Sequence, residues 1–185
     1  MTIVEPTSGT TPWSQAALYA VVNGTGGTEI IDQINSRICP SVGNNIRTTD
    51  SSPFTTTLVR IMSTRVPIRA GRSYQIIAAG EVVVNAAGAA TVQNEIRYTT
   101  NDTEPTTSST QAGRGLVVLD PGGIPTLTTF VAIVNSSTNG FLRPVVCSVR
   151  VSGSVPCIWT AGSGRPMTLY VYDIGPTNSA SGTVY

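Results

Sequence analysis

The sequence predicts an all-β protein: an antiparallel β-sandwich of the jelly-roll kind, preceded by a short N-terminal arm. Three observations carry this. Apolar and β-branched residues alternate with polar ones at period two. The pattern is clearest where Val66 and Ile68 alternate with Pro67 and Arg69, and Tyr74, Ile76 and Ala78 with Ser73, Gln75 and Ile77. Turn-forming clusters recur between such runs: Asp50-Ser51-Ser52-Pro53, Ala86-Ala87-Gly88, Pro121-Gly122-Gly123, residues 135–140 and Ser152-Gly153-Ser154. Composition agrees, because 18 Gly and 12 Pro in 185 residues supply many turns. Only 11% of residues are charged, against roughly 25% in ordinary soluble domains. The polar surface therefore falls to Thr, Ser, Asn and Gln, and Thr suits strands.

Taken in order, residues 1–40 form the arm. Thr11 before Pro12 has the form of a helix start, a cap followed by proline at the first helical position. Trp13, Ala16, Ala17, Ala20 and Val21 would share a helical face before Gly24, Gly26 and Gly27 end the segment, with a strand over 18–22 as the alternative. A second short helix fits at Thr28, with Glu29 in its first turn and Ile30, Ile31, Ile34 and Ile38 at helical spacing.

The sandwich occupies residues 41–176. Its strands are expected over 46–49, 55–62, 64–69, 73–85, 91–100, 115–120, 127–135, 141–151, 156–161 and 167–174. Ala70-Gly71-Arg72 reads as the reversal of a hairpin, with Gly71 at the positive φ that costs glycine little. The 141–151 strand sets Val145, Cys147, Val149 and Val151 on one face and Val146, Ser148 and Arg150 on the other. The last strand sets Leu169, Val171 and Asp173 opposite Tyr170 and Tyr172, and Gly175-Pro176 stops it. The connection over 101–114, rich in Thr and Ser and holding Asp102 and Glu104, reads as an exposed, mobile excursion. Residues 177–185 are a low-complexity tail.

Net charge is +1, so neither nucleic acid nor a membrane surface is an expected partner. All eleven basic residues are Arg; there is no Lys and no His. Strand edges without Lys lack their usual protection and are safer covered by another subunit, which points to assembly. The three cysteines, Cys39, Cys147 and Cys157, are an odd set at irregular spacing and read as buried reduced thiols. No basic, apolar leader opens the sequence and no apolar run reaches about 18 residues, so neither secretion by a standard signal nor a membrane span is expected.

The lack of His excludes Ser-His-Asp and Cys-His arrangements. Gly24-Thr25-Gly26-Gly27-Thr28 lacks the Lys of a phosphate loop and reads as a linker. Asp102 with Glu104, or Asp120 with Asp173, offers paired carboxylates for sugar hydrolysis, and Asp102, Glu104 and Asp120 a calcium site. Isolated acids in turns are the plainer reading, so no catalytic residue, metal or cofactor is expected. Arg60, Arg65, Arg69, Arg72 and Arg97 read equally as a stripe facing an acidic partner or as a solvated strand face. Trp13 and Trp159 are sugar-stacking platforms, core residues or inter-subunit contacts. Trp13, Arg69, Arg72, Trp159, Tyr170 and Tyr172 are the candidate interface residues.

Several phrases resemble small β-rich virion proteins of actinobacterial tailed phages, of the minor tail and capsid decoration type. They are Ser51-Ser52 through Thr55-Thr56-Thr57, Val66-Pro67-Ile68-Arg69-Ala70-Gly71-Arg72-Ser73-Tyr74, Arg97-Tyr98, and Leu169-Tyr170-Val171-Tyr172-Asp173-Ile174-Gly175-Pro176. The likeness spans residues 30–176 and rests on turn and strand signatures. It implies a jelly-roll-like fold, often trimeric, with no catalytic residues to carry over. The expectation is thus a non-enzymatic structural protein of a virion, assembled in the bacterial host cytoplasm and seated on the particle as a trimeric capsid decoration. Its partners would be its own copies and the major capsid protein or tail proteins. A minor tail protein is the alternative, or a glycan-binding host-recognition module using Trp159, Tyr170, Tyr172 and the 101–114 connection.

Overall fold

A computed structural model describes residues 41–177, all of them strand or connection. The two short helices, Trp13, Cys39 and nearly all of the tail lie outside the described residues. Ten strands follow one another: β1 (Ser41–Arg47), β2 (Val59–Ser63), β3 (Val66–Ile68), β4 (Arg72–Val84), β5 (Ala90–Thr99), β6 (Thr110–Leu119), β7 (Thr126–Ser136), β8 (Gly140–Gly153), β9 (Cys157–Thr160) and β10 (Met167–Pro176).

They form two sheets. One has the order β1-β10-β4-β7, with β9 beside the far end of β4; the other has the order β2-β8-β5-β6, with β3 also on β8. Every pairing between strands is antiparallel, and the pairs are nested: β5 with β6, β4 with β7, β2 and β3 with β8, β1 with β10. A long antiparallel ribbon rolled so that successive pairs fall in alternate sheets gives this order. It is the jelly roll that the alternation and turn spacing predict.

The turn at Ala70-Gly71 is where expectation and structure part. Gly71 does have a positive φ, +73°. Yet β3 pairs with β8 in one sheet, while β4 pairs with β7 and β10 in the other. The reversal is a corner between layers, not a hairpin. Period-two patterning marks the buried face of a strand and is silent about which strand lies beside it. Strand β6 also begins earlier than expected, at Thr110, because Tyr98 pairs with Thr110 and Arg97 with Gln111.

The core lies between the sheets. Val66, Ile68, Tyr74, Ile76, Ala78, Leu169 and Val171 all point inward, as their alternation requires. Trp159 is fully buried, its ring centroid 6.3 Å from that of Phe130. This corrects its placement among the interface and sugar-stacking residues. The indole Nε1 donates to Ser148 Oγ at 2.8 Å, and Ser148 Oγ donates to Asn94 Oδ1 at 2.7 Å. Its amide N also donates to Ser51 Oγ at 3.0 Å. A tryptophan wholly out of water, with its indole N–H satisfied by a buried hydroxyl, is a core residue.

Both sides of the sandwich are closed without ladder hydrogen bonds. On one side β1 is sewn to β2 and the turn after it: Asn45 Nδ2 donates to the Ser63 carbonyl at 2.6 Å and Thr64 Oγ1 to the Asn44 carbonyl at 3.1 Å. On the other, Gly113 of β6 passes so near β7 that a Cβ there would lie 3.2 Å from both Ala132 Cβ and the Val131 carbonyl oxygen. Glycine weakens a strand, and here the missing side chain admits a close backbone approach.

Candidate interaction face and loop-end cleft

The outward face of the β1-β10-β4-β7 sheet is built by the same alternation that fills the core. Register places Asn44 beside Tyr170, Tyr170 beside Ile77, and Ile77 beside Val131 in one row across it. The next row runs from Tyr172 through Gln75 to Ile133. The exposure of Leu127 is 72%, of Ile133 57%, of Ile46 50% and of Val131 48%. Tyr170 and Tyr172 are half-buried and stacked, with ring centroids 6.1 Å apart. At these outward positions the charged side chain is Glu81, at the margin, where it meets Arg165 at 3.2 Å.

The arginines do not form a stripe. Arg72 donates from Nη2 to Asp173 Oδ1 at 2.7 Å and from Nε to Oδ2 at 3.0 Å, and both side chains are largely buried. Asp173 further accepts from the Gly175 amide at 3.0 Å. Arg72 is therefore spent on fastening the end of β10 to the start of β4. Arg69 is exposed beside the Gly71 corner, its amide donating to Tyr74 Oη at 2.8 Å. Arg97 donates to Glu95 Oε2 at 2.6 Å and to the Ser109 carbonyl at 2.7 Å.

The remaining two of that set converge on the 100–109 connection. Arg65 meets Asp102 through Nε and Nη2, both at 2.7 Å, and Arg143 Nε meets Asp102 Oδ1 at 2.8 Å. Arg60 and Arg143 both bind Glu104. The Arg65 guanidinium also lies over the Phe141 ring, 3.3 Å from its centroid. Hydrogen bonds from Arg65 first and Arg143 second hold the Asp102 carboxyl well below the usual carboxylate range. The connection is exposed, as expected, but three guanidinium groups pin it. With both carboxylates so engaged, they are poorly placed to share a proton or to ligate a cation.

Beyond this pin, the ends of β5 and β7 and the start of β6 enclose a cleft of about 490 Å³. Its walls are hydroxyl and amide groups, with Tyr98 as the aromatic member.

No protein-family model and no curated protein matches the chain. Solved structures do resemble it. Eiger TNF from S. frugiperda is 10% identical with a TM-score of 0.43, covering 78% of this chain and all of that one. The infectious bursal disease virus VP2 subviral particle is 14% identical with a TM-score of 0.34, over 74% of this chain and 38% of VP2. A CBM4 structure is 10% identical with a TM-score of 0.31, over 72% of this chain and 86% of the other. At these values the likeness is one of strand arrangement.

Sequence reasoning missed Arg143, Tyr98 and the cleft. Arg143 stands 41 residues from Asp102, so no local spacing announces the pair. The cleft draws on two separate connections, β5–β6 and β7–β8, that only the rolled topology brings together.

Proposed function

We propose that the protein is a non-enzymatic structural component of a bacteriophage virion, seated on the capsid surface as a homotrimer. The observation that carries this reading is the outward face of the β1-β10-β4-β7 sheet. Broad, apolar and nearly free of charge, it is a surface that water does not favour and another protein can cover. Burying an exposed Leu, Ile or Val is worth about 1.5–3 kcal/mol each. A few such residues per copy offset the freedom lost on association only when the contact is wide, about 800 Å² per partner. The resemblance of its turn and strand phrases to virion proteins supports the same reading, and copies of the chain and the major capsid protein are the partners it names. A minor tail position is the alternative. Imaging of intact particles separates the two, by finding the density on the shell or at the tail.

Sedimentation of the full chain at micromolar concentrations tests the assembly. A trimer is expected that falls apart in the Val131→Glu/Ile133→Glu double variant, whose changed side chains already face outward. A wild-type chain that stays monomeric and shows no affinity for capsids would overturn the proposal.

A further inference from the structure

The cleft at the loop end points to a second activity that the assembly role does not require. We infer that it binds a neutral saccharide. Its volume, about 490 Å³, falls within the roughly 300–1,000 Å³ of small-molecule sites. Much of its hydrogen-bonding capacity is unspent. The hydroxyls of Tyr98, Thr100, Thr110, Ser137 and Thr138 make no hydrogen bond among the described residues, and Asn135 uses only its oxygen, accepting from Ser73 Oγ at 2.8 Å. Hydroxyls both donate and accept, so a wall of them matches a ligand that is itself a run of hydroxyls. The Tyr98 ring packs against the core on one side and offers an aromatic surface for the C–H face of a sugar ring.

The same groups argue against other ligands. A phosphate or carboxylate needs a cation, and no Arg lines the cleft; the Arg97 guanidinium, which reaches its Ser109 wall, is committed to Glu95 and the Ser109 carbonyl. A lipid or an apolar peptide needs more apolar wall than Tyr98 provides. The frame is held: Asp102 and Glu104 tie one wall down to Arg60, Arg65 and Arg143, and Asn101 pairs with Phe141 at the start of β8. Little ordering is left for the ligand to impose. Affinity at one cleft is expected in the millimolar range, because a single aromatic ring and exchangeable hydrogen bonds replace water with little surplus. Repetition of the cleft across an assembly would raise avidity without new contacts.

The test uses the full chain on an array of immobilised oligosaccharides, neutral and acidic. The strongest neutral hit is then titrated by chemical-shift perturbation. A saturable neutral hit is expected, with shifts confined to residues around Tyr98, Thr110 and Asn135. The Tyr98→Phe/Thr100→Val/Thr110→Val variant keeps strand-compatible shapes and should keep its melting temperature while losing affinity at least tenfold, since each lost hydrogen bond costs a factor of about 2 to 12. In the titration, which reads the intrinsic affinity of a single cleft whatever the assembly state, the Tyr170→Ala/Tyr172→Ala variant should bind unchanged. No saturable neutral hit up to about 10 mM, hits confined to acidic glycans, or loss of that single-cleft affinity in the Tyr170→Ala/Tyr172→Ala variant alone would each overturn the inference. None of these outcomes bears on trimer formation, which sedimentation reads separately.

Discussion

Ser148 is the residue on which the interior polar chemistry turns. It accepts from the Trp159 indole and donates to Asn94, with all three groups out of contact with water. Removing its hydroxyl strands a donor and an acceptor together, which costs more than the bonds themselves contribute. Ser148→Ala is expected to destabilise the fold by about 2–3 kcal/mol in urea titrations, more than a surface Ser→Ala change. The two described cysteines make a complementary case. Cys147 and Cys157 are buried and unpaired, and burial pushes the Cys147 thiol up to about 11 and the Cys157 thiol up as well. In a Cys39→Ser background neither thiol should react with a disulfide reagent at pH 8 until denaturant is added, when both should react. Cys147 was read on the face away from Val146 and Ser148, and it does lie there, beside its cross-strand neighbours Arg60 and Glu95.

At the scale of the element, the 100–109 connection is an exposed loop held by ions. Asp102 has a depressed folded-state value, so what its pairing contributes is fully present above the ordinary carboxylate range, near pH 4. It fades as pH falls through the depressed value. Amide protection over 101–109, the observed exchange rate relative to the intrinsic rate at the same pH, should therefore hold from pH 7 down to about 4 and fall below. Added salt should lower it at neutral pH too, because the pairs are exposed to solvent. Protection that ignores both pH and salt would show that the arginines do not hold the loop. How much was legible in the sequence divides along the same line. Strands and their buried faces were readable, because alternation is local: the run from Tyr74 to Ala78 and that from Leu169 to Asp173 lie as read. Partners were not, because Arg72 finds Asp173 across 101 positions and the turn at Gly71 changes sheets. The interaction face was half visible, since Tyr170 and Tyr172 were placed on it, while Trp159 gave no local sign that Ser148 and Ser51 would satisfy it inside.

For the whole molecule, the nested pairing makes the outermost strands depend on everything within. β1 meets β10 only when all the intervening pairs can form, so contacts are predominantly distant in sequence and folding should be slow for the chain's size. The two ladder-free sides are the weak point of such a body. At the β6–β7 side, Gly113 has a backbone carbonyl and a methyl group 3.2 Å from where its Cβ would be. A branched side chain there, as in Gly113→Val, would wedge the two margins apart and present two rows of unsatisfied amides and carbonyls to other molecules. The variant should then lose solubility by growing thioflavin-positive fibrils at concentrations where the parent stays clear. A bare hydrogen atom at one position would thus be what separates a closed sandwich from a seed for amyloid.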